Sequence, residues 1–130
     1  MKIAWIGTGV MGESMAGHLL DAGYELYVYN RTVSKTENLV KRGAKLLTEI
    51  KDAPLNADVV FTMVGYPKDV EGVYLGNDGL ITTAKEGQVF VDMTTSSPTI
   101  AKKISEEFAK VGASALDLPV TGGDIGAKNG

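Results

Sequence analysis

Gly7, Gly9 and Gly12 stand at G-x-G-x-x-G spacing directly after the apolar run Ile3-Ala4-Trp5-Ile6, with Thr8, Val10 and Met11 between them. The pattern reads as strand, tight turn, helix start. Gly7 permits the sharp turn out of the strand, Gly9 lets a pyrophosphate approach the backbone, and Gly12 lets the new helix pack close to the strand. An anion held there sits on free N–H groups at a helix N-terminus, where the helix dipole also favours negative charge. A phosphate-binding loop of the mononucleotide type requires Gly-Lys-Ser/Thr, but Gly12 is followed by Glu13-Ser14, which excludes it. A Gly-rich turn without a ligand is the competing reading. A helix-period segment after Gly12, and then a second strand ending in polar residues, weigh against it.

That second strand ends at Asn30-Arg31-Thr32, with Lys35 one turn further on. A carboxylate at this place would accept hydrogen bonds from the adenosine ribose hydroxyls of NAD, and it would repel a ribose 2′-phosphate. Here the residue is Asn30. The Arg31 guanidinium can form charge-assisted, bidentate bonds to a phosphate, and the Thr32 hydroxyl and Lys35 ammonium add to it. The reading is therefore NADP over NAD; its alternative is that Arg31 and Lys35 are solvated surface charges.

Three further clusters fall where strands end. Met63-Val64-Gly65-Tyr66-Pro67 line the same crevice as the glycine loop and are candidate adenosine or ribose contacts. Thr94-Thr95-Ser96-Ser97-Pro98 gathers four hydroxyls, of which Ser97 before proline is an N-cap arrangement; Thr94 and Thr95 remain as cofactor candidates. Thr121-Gly122-Gly123 offers a hydroxyl and unshielded backbone N–H groups suited to a carboxylate, although a plain turn has the same spacing. His18, the one histidine, lies off the apolar stripe and more than a turn beyond the phosphate end, so it reads as a packing or surface residue. Met11 and Met15 recur at helical spacing and read as packing.

Residues 10–22 carry Met11, Met15, Leu19 and Ala22 at helical period, stopped by Gly23. Residues 24–29 are rich in β-formers and make the second strand. A helix over residues 33–42 starts from Thr32, or from a Ser34/Glu37 capping box, and ends at Gly43. A short third strand at residues 44–47 and a short helix at 48–53, stopped by Pro54, come next. Residues 58–64 have the continuous apolar middle of a central parallel strand. Pro67 opens a helix, with residues 69–71 in a short surface helix, and residues 72–87 are turn-rich around one short helical segment. Strands at 89–91 and 115–118 flank a helix that starts after Ser97-Pro98 and carries Ile100, Ile104, Phe108 and Val111 on one stripe. Strand and helix alternate throughout, which implies right-handed crossovers and a doubly wound parallel sheet of the Rossmann type within one domain over residues 1–130.

Composition narrows the partners. A chain of 130 residues, 44% hydrophobic and 22% charged, suits one globular domain. A net charge of −3 argues against a nucleic-acid partner, which calls for a basic face. The absence of cysteine excludes disulfides, thiolate metal sites and thiol catalysis, and no metal site is expected. The first apolar run is too short for a signal peptide or membrane span, so a soluble, cytoplasmic protein with no membrane partner is expected.

Taken together, I-G-T-G-V-M-G-E-S-M-A, N-R-T-x-x-K, F-T-M-V-G-Y-P, V-D-M-T-T and L-D-L-P-V-T-G-G-D-I-G-A resemble the β-hydroxyacid dehydrogenases over essentially the whole chain. The resemblance implies hydride exchange between a short β-hydroxyacid, semialdehyde or glyoxylate and a nicotinamide. It assigns residues 7–12 to the pyrophosphate, Asn30-Arg31-Thr32 to the 2′-phosphate side, and Met63 and Val64 to the adenosine half. Thr95 then contacts the nicotinamide half, and Thr121-Gly122-Gly123 hold the substrate carboxylate. The family usually has Ser where Thr121 stands. Its general acid/base is a lysine in a G-x-x-G-x-G-x-x-x-K-x-x-x-N pattern that nothing here matches, so no catalytic residue is assigned. By this resemblance the chain is a dinucleotide-binding domain truncated before its last strands, without the helical catalytic and dimerisation domain. It is expected to bind NADP and turn over little, the full-length enzyme being a homo-oligomer. The rivals are a non-catalytic NADP-binding or interaction module and, more weakly, a methyltransferase, which wants an acidic residue where Asn30 stands.

Overall fold

Six parallel strands, hydrogen-bonded in the order β3-β2-β1-β4-β5-β6, form the sheet of this computed structural model, which describes residues 1–64, 67–94 and 98–118. The strands are β1 (Lys2–Ile6), β2 (Glu25–Tyr29), β3 (Lys45–Leu46), β4 (Val59–Thr62), β5 (Val89–Asp92) and β6 (Ser114–Asp117). Five α-helices are described: α1 (Val10–Asp21), α2 (Glu37–Lys41), α3 (Ala53–Asn56), α4 (Pro67–Leu75) and α5 (Pro98–Ala109). This order is that of a doubly wound dinucleotide-binding sheet, with the reversal between β1 and β4. The expected fold class is what the structure has.

Alternation along each strand sends successive side chains to opposite faces, and two separate cores result. Ile3, Trp5, Leu26 and Val28 pack with Ala16 of α1 and Leu39 of α2 on one face. Ala4, Ile6, Val60 and Phe90 pack on the other with Val70 and Tyr74 of α4 and Ile104 and Phe108 of α5. Tyr74, Phe90 and Phe108 meet edge to face, with ring centroids 4.8–6.4 Å apart.

Several local expectations need correction. Residues 33–42 are not one helix: a 3-10 turn, Val33–Thr36, runs into α2, and neither Thr32 nor Thr36 makes a side-chain cap. The Thr36 hydroxyl instead donates to Val33 O at 2.6 Å, and Ser34 lies inside the 3-10 turn, where it starts no capping box. Pro54 does not stop a helix; it sits in the first turn of α3, where its missing N–H has no intrahelical partner to lose. The segment at residues 69–71 is not superficial, because α4 continues to Leu75 and buries Val70, Val73 and Tyr74. Those three residues have helical spacing, which Gly72 between them obscures in the sequence. Ser97 lies outside the described residues.

Candidate dinucleotide site

The glycine loop lies at the carboxyl end of β1, where the strand order reverses. Gly7 turns with a φ of +101°, a conformation that L side chains rarely adopt, and its N–H donates to Tyr29 O at 2.9 Å. A Cβ on Gly7 would meet Met63 O at 1.9 Å, and one on Gly12 would meet Gly7 O at 2.2 Å. Both glycines are therefore demanded by the protein's own packing. Gly9 differs: it is exposed, and among the described residues a Cβ there would meet nothing beyond its own chain neighbours within 4 Å. Its missing side chain leaves open space in front of the helix that begins at Val10.

Gly9 is the N-cap residue of the 12-residue α1, and among the described residues no side-chain cap is made at that end. The first-turn N–H groups of such a helix lack partners within it, and the dipole concentrates positive potential there. Glu13 N–H already donates to Gly9 O at 2.7 Å, so the helix is fully wound from its first turn. Thr8 is buried beneath the loop, and its hydroxyl is the one buried side-chain polar atom without a partner among the described residues. An orphaned hydroxyl, an uncapped helix end and an open glycine fit a phosphate-bearing group.

Asn30 reaches back from the end of β2 to this loop. Its Oδ1 accepts from Thr8 N–H at 2.9 Å and its Nδ2 donates to Thr32 O at 2.9 Å. Arg31, Thr32 and Lys35 are exposed on the turn beyond. Among the described residues neither Arg31 nor Lys35 takes part in an ion pair, so both charges face solvent beside the loop. Met63 and Val64 are half-buried where β4 ends. Met63 N–H donates to Ile6 O at 2.8 Å, which places that segment against the glycine turn. The structure thus brings together Gly7, Thr8, Gly9, Gly12, Asn30, Arg31, Thr32, Lys35, Met63 and Val64. It also places Val10 and Met11 in the first turn of α1. Thr95, Thr121, Gly122 and Gly123 lie outside the described residues, as do Gly65 and Tyr66.

Sequence reasoning missed a buried polar chain behind the site. Thr62 Oγ1 donates to Asp92 Oδ1 at 2.9 Å and lies 2.8 Å from Tyr74 Oη. Because the single Thr62 proton goes to the carboxylate, Tyr74 is the donor in the second bond. Thr94 N–H also donates to Asp92 Oδ1, at 3.1 Å, and Thr94 Oγ1 accepts from Val64 N–H at 2.8 Å. Thr94, a candidate cofactor contact, thus ties the loop after β5 to the loop after β4. Burial pushes the Asp92 carboxyl above its ordinary range; the bonds from Thr94 and Thr62 oppose the shift, and the neighbouring Asp117 adds to it. Burial likewise raises the Tyr74 phenol. The available signal was Asp92 itself, an acid closing the apolar strand Val89-Phe90-Val91.

A six-stranded 3-2-1-4-5-6 sheet with an uncapped helix facing an open glycine at its switch point defines a dinucleotide-binding domain. The chain belongs to the family described as the NAD binding domain of 6-phosphogluconate dehydrogenase, whose model matches residues 2–130. It is similar to an uncharacterized oxidoreductase of Bacillus subtilis, YkwC, with 53% identity over 98% of this chain and 44% of that protein. A probable 3-hydroxyisobutyrate dehydrogenase-like protein of Arabidopsis thaliana, named as mitochondrial, is 48% identical over 99% of this chain and 39% of its own length. The NAD-dependent L-serine dehydrogenase of Pseudomonas aeruginosa is 41% identical over 99% and 43%. Among solved structures, Psf3 in complex with NADP+ and 2-OPP superposes with a TM-score of 0.91 at 30% identity, covering 98% of this chain and 45% of that one. The chain therefore spans about two-fifths of the length of the curated relatives it matches. It is the NAD-binding domain of that family. Among the described residues no helix is long and apolar enough to cross a membrane.

Proposed function

We propose that this chain is the NADP(H)-binding part of an oxidoreductase that moves a hydride between a short β-hydroxyacid, or the matching semialdehyde or glyoxylate, and the nicotinamide. The observation that carries the NADP assignment is Asn30, in place of a carboxylate, beside Arg31 and Lys35, which make no ion pair among the described residues. A dianionic 2′-phosphate on that turn meets two cations and the Thr32 hydroxyl, with an amide where a carboxylate would repel it. The name of the NADP+-bound neighbour supports this reading, while that of the NAD-dependent relative opposes it.

The remaining roles fit the same plan. Residues 7–12, including Val10 and Met11, hold the pyrophosphate on the α1 N-terminus; Met63 and Val64 flank the adenosine half, and Thr95 contacts the nicotinamide half. Thr121, Gly122 and Gly123 hold the substrate carboxylate. When bound, the nicotinamide supplies the hydride chemistry, and these residues supply its position. This reading puts the acid/base group on a helical catalytic and dimerisation domain and gives the dinucleotide-binding part cofactor binding with little or no turnover of its own. A small-molecule substrate and a homo-oligomeric full-length enzyme belong to this reading.

Thermal shift of this chain with NADP and with NAD tests the assignment. A ligand at a hundred times its Kd adds about 2.7 kcal/mol, a rise of several degrees for a domain of this size. NADP is expected to stabilise more than NAD, and Arg31→Ala is expected to weaken NADP by about 10- to 100-fold while leaving NAD unchanged. Greater stabilisation by NAD, or equal loss of both nucleotides in the variant, would overturn it.

A further inference from the structure

The Gly7–Thr8 peptide is gripped at both ends by side chains. On one side the indole Nε1–H of Trp5, buried beneath the loop, donates to Gly7 O at 2.8 Å. On the other, Thr8 N–H donates to Asn30 Oδ1 at 2.9 Å. The indole is itself held: its ring stacks on Phe61 of β4, with centroids 5.3 Å apart and planes 23° from parallel. The Asn30 carboxamide is held too, because its Nδ2 donates to Thr32 O and so closes the turn that carries Arg31.

We propose that Trp5 and Asn30 are positioning residues that clamp the first peptide of the pyrophosphate loop, and that Asn30 couples that loop to the Arg31 turn instead of contacting the 2′-phosphate directly. The physical need comes from Gly7. A glycine rotates freely about its backbone bonds, so the peptide that follows it can flip unless both its C=O and its N–H are held. A flip here strands both groups in a buried setting, which is costly. With the peptide fixed, Gly9 and the start of α1 keep one orientation towards a diphosphate. The second amide bond of Asn30 makes any shift of the loop a shift of the turn. Pyrophosphate binding and recognition at Arg31 then report on each other. The clamp rests on the dinucleotide-binding reading of this loop, and the coupling rests also on the reading of Arg31 as the 2′-phosphate contact.

The test is titration of this chain with NAD and with NADP, in wild type, Trp5→Phe and Asn30→Ala, at a temperature where each variant is shown by its melting curve to be folded. Trp5→Phe keeps a ring against Phe61 and loses the donor; it is expected to weaken both nucleotides by the same factor, about 10-fold. Asn30→Ala is expected to weaken NAD by about 10-fold through Thr8 and NADP by several-fold more through the turn. If Asn30 acts only as a phosphate ligand, NAD affinity in Asn30→Ala stays at the wild-type value, which overturns the coupling. Wild-type affinities in Trp5→Phe overturn the clamp. Trp5 is the single tryptophan of the chain, so its indole N–H gives one unambiguous proton resonance that needs no variant. Saturating NAD is expected to move that resonance, and an unmoved signal counts against the clamp. Absence of binding of either nucleotide to wild type is a different failure: it removes the dinucleotide reading itself.

Discussion

Each of the three motif glycines is glycine for a different reason. A Cβ at Gly12 would sit 2.2 Å from Gly7 O, so Gly12→Ala must push helix and turn apart. Among the described residues, no atom beyond its own chain neighbours lies within 4 Å of that position at Gly9. The expected outcome is that Gly12→Ala lowers the melting temperature markedly, by roughly 1–3 kcal/mol of stability in line with overpacking. Gly9→Ala is expected to melt close to wild type but to bind both nucleotides at least about 10-fold more weakly, since its methyl group occupies the space a diphosphate needs. Melting curves alongside nucleotide titrations read both, and a strongly destabilised Gly9→Ala would show that the loop is tighter than the geometry indicates.

Asp92 supports a second prediction at the residue scale. Its carboxyl titrates above its unfolded value because burial disfavours the charge. A group of this kind binds its proton more tightly in the folded chain, so unfolding becomes easier as pH rises from the ordinary carboxylate range through the raised folded value. Asp92→Asn keeps an acceptor oxygen for Thr62 and Thr94 and removes the buried charge. The variant is expected to match wild type at acidic pH, to melt a few degrees higher near pH 8, and to lose that part of the pH slope. A variant less stable than wild type at pH 8 would mean that the ionised carboxylate holds the loops together better than an amide does.

At the scale of elements, the aromatic triad decides how α4 and α5 sit against the sheet. Phe108 of α5 and Phe90 of β5 are fully buried and meet at 4.8 Å, with Tyr74 of α4 against both. Removing the Phe108 ring leaves a cavity that rigid strands cannot close. Phe108→Ala is expected to cost about 3–5 kcal/mol, read by denaturant unfolding. The glycine loop lies in contact with β1, β2 and β4, so nucleotide affinity measured below the transition is expected to change by less than about 3-fold, within the usual additivity of separate sites. The elements themselves were largely legible. The period of α1, the β-formers of β2, the apolar middle of β4 and the stripe of α5 are local patterns, and each element formed there, although Ala22 is the exposed C-cap of α1 and Val111 lies exposed beyond the end of α5. The short segments were less so. The 3-10 turn at Val33–Thr36 and the first turn of α3, which holds Pro54, depend on a few weak local preferences that neighbouring packing outweighs.

Across the whole molecule, the alternation of strands and helices was enough to determine a parallel doubly wound sheet, because parallel neighbours need right-handed crossovers. The glycine spacing was enough to place a tight turn between β1 and α1, since few other residues permit such a turn against a helix start. The absence of an acid at Asn30, with Arg31 beside it, was likewise plain in the residue types. Strand order, and with it the nearness of Met63 to Gly7 across 56 residues, came only with the fold. So did the burial of Gln88, whose amide bridges Pro54 O and Ala57 O, and the chain from Tyr74 through Thr62 to Asp92. Propensity and period are properties of neighbours along the chain and can be read there. Hydrogen bonds between residues 22 to 34 positions apart, such as Thr8 with Asn30 and Val64 with Thr94, exist only once the sheet has set its strands side by side.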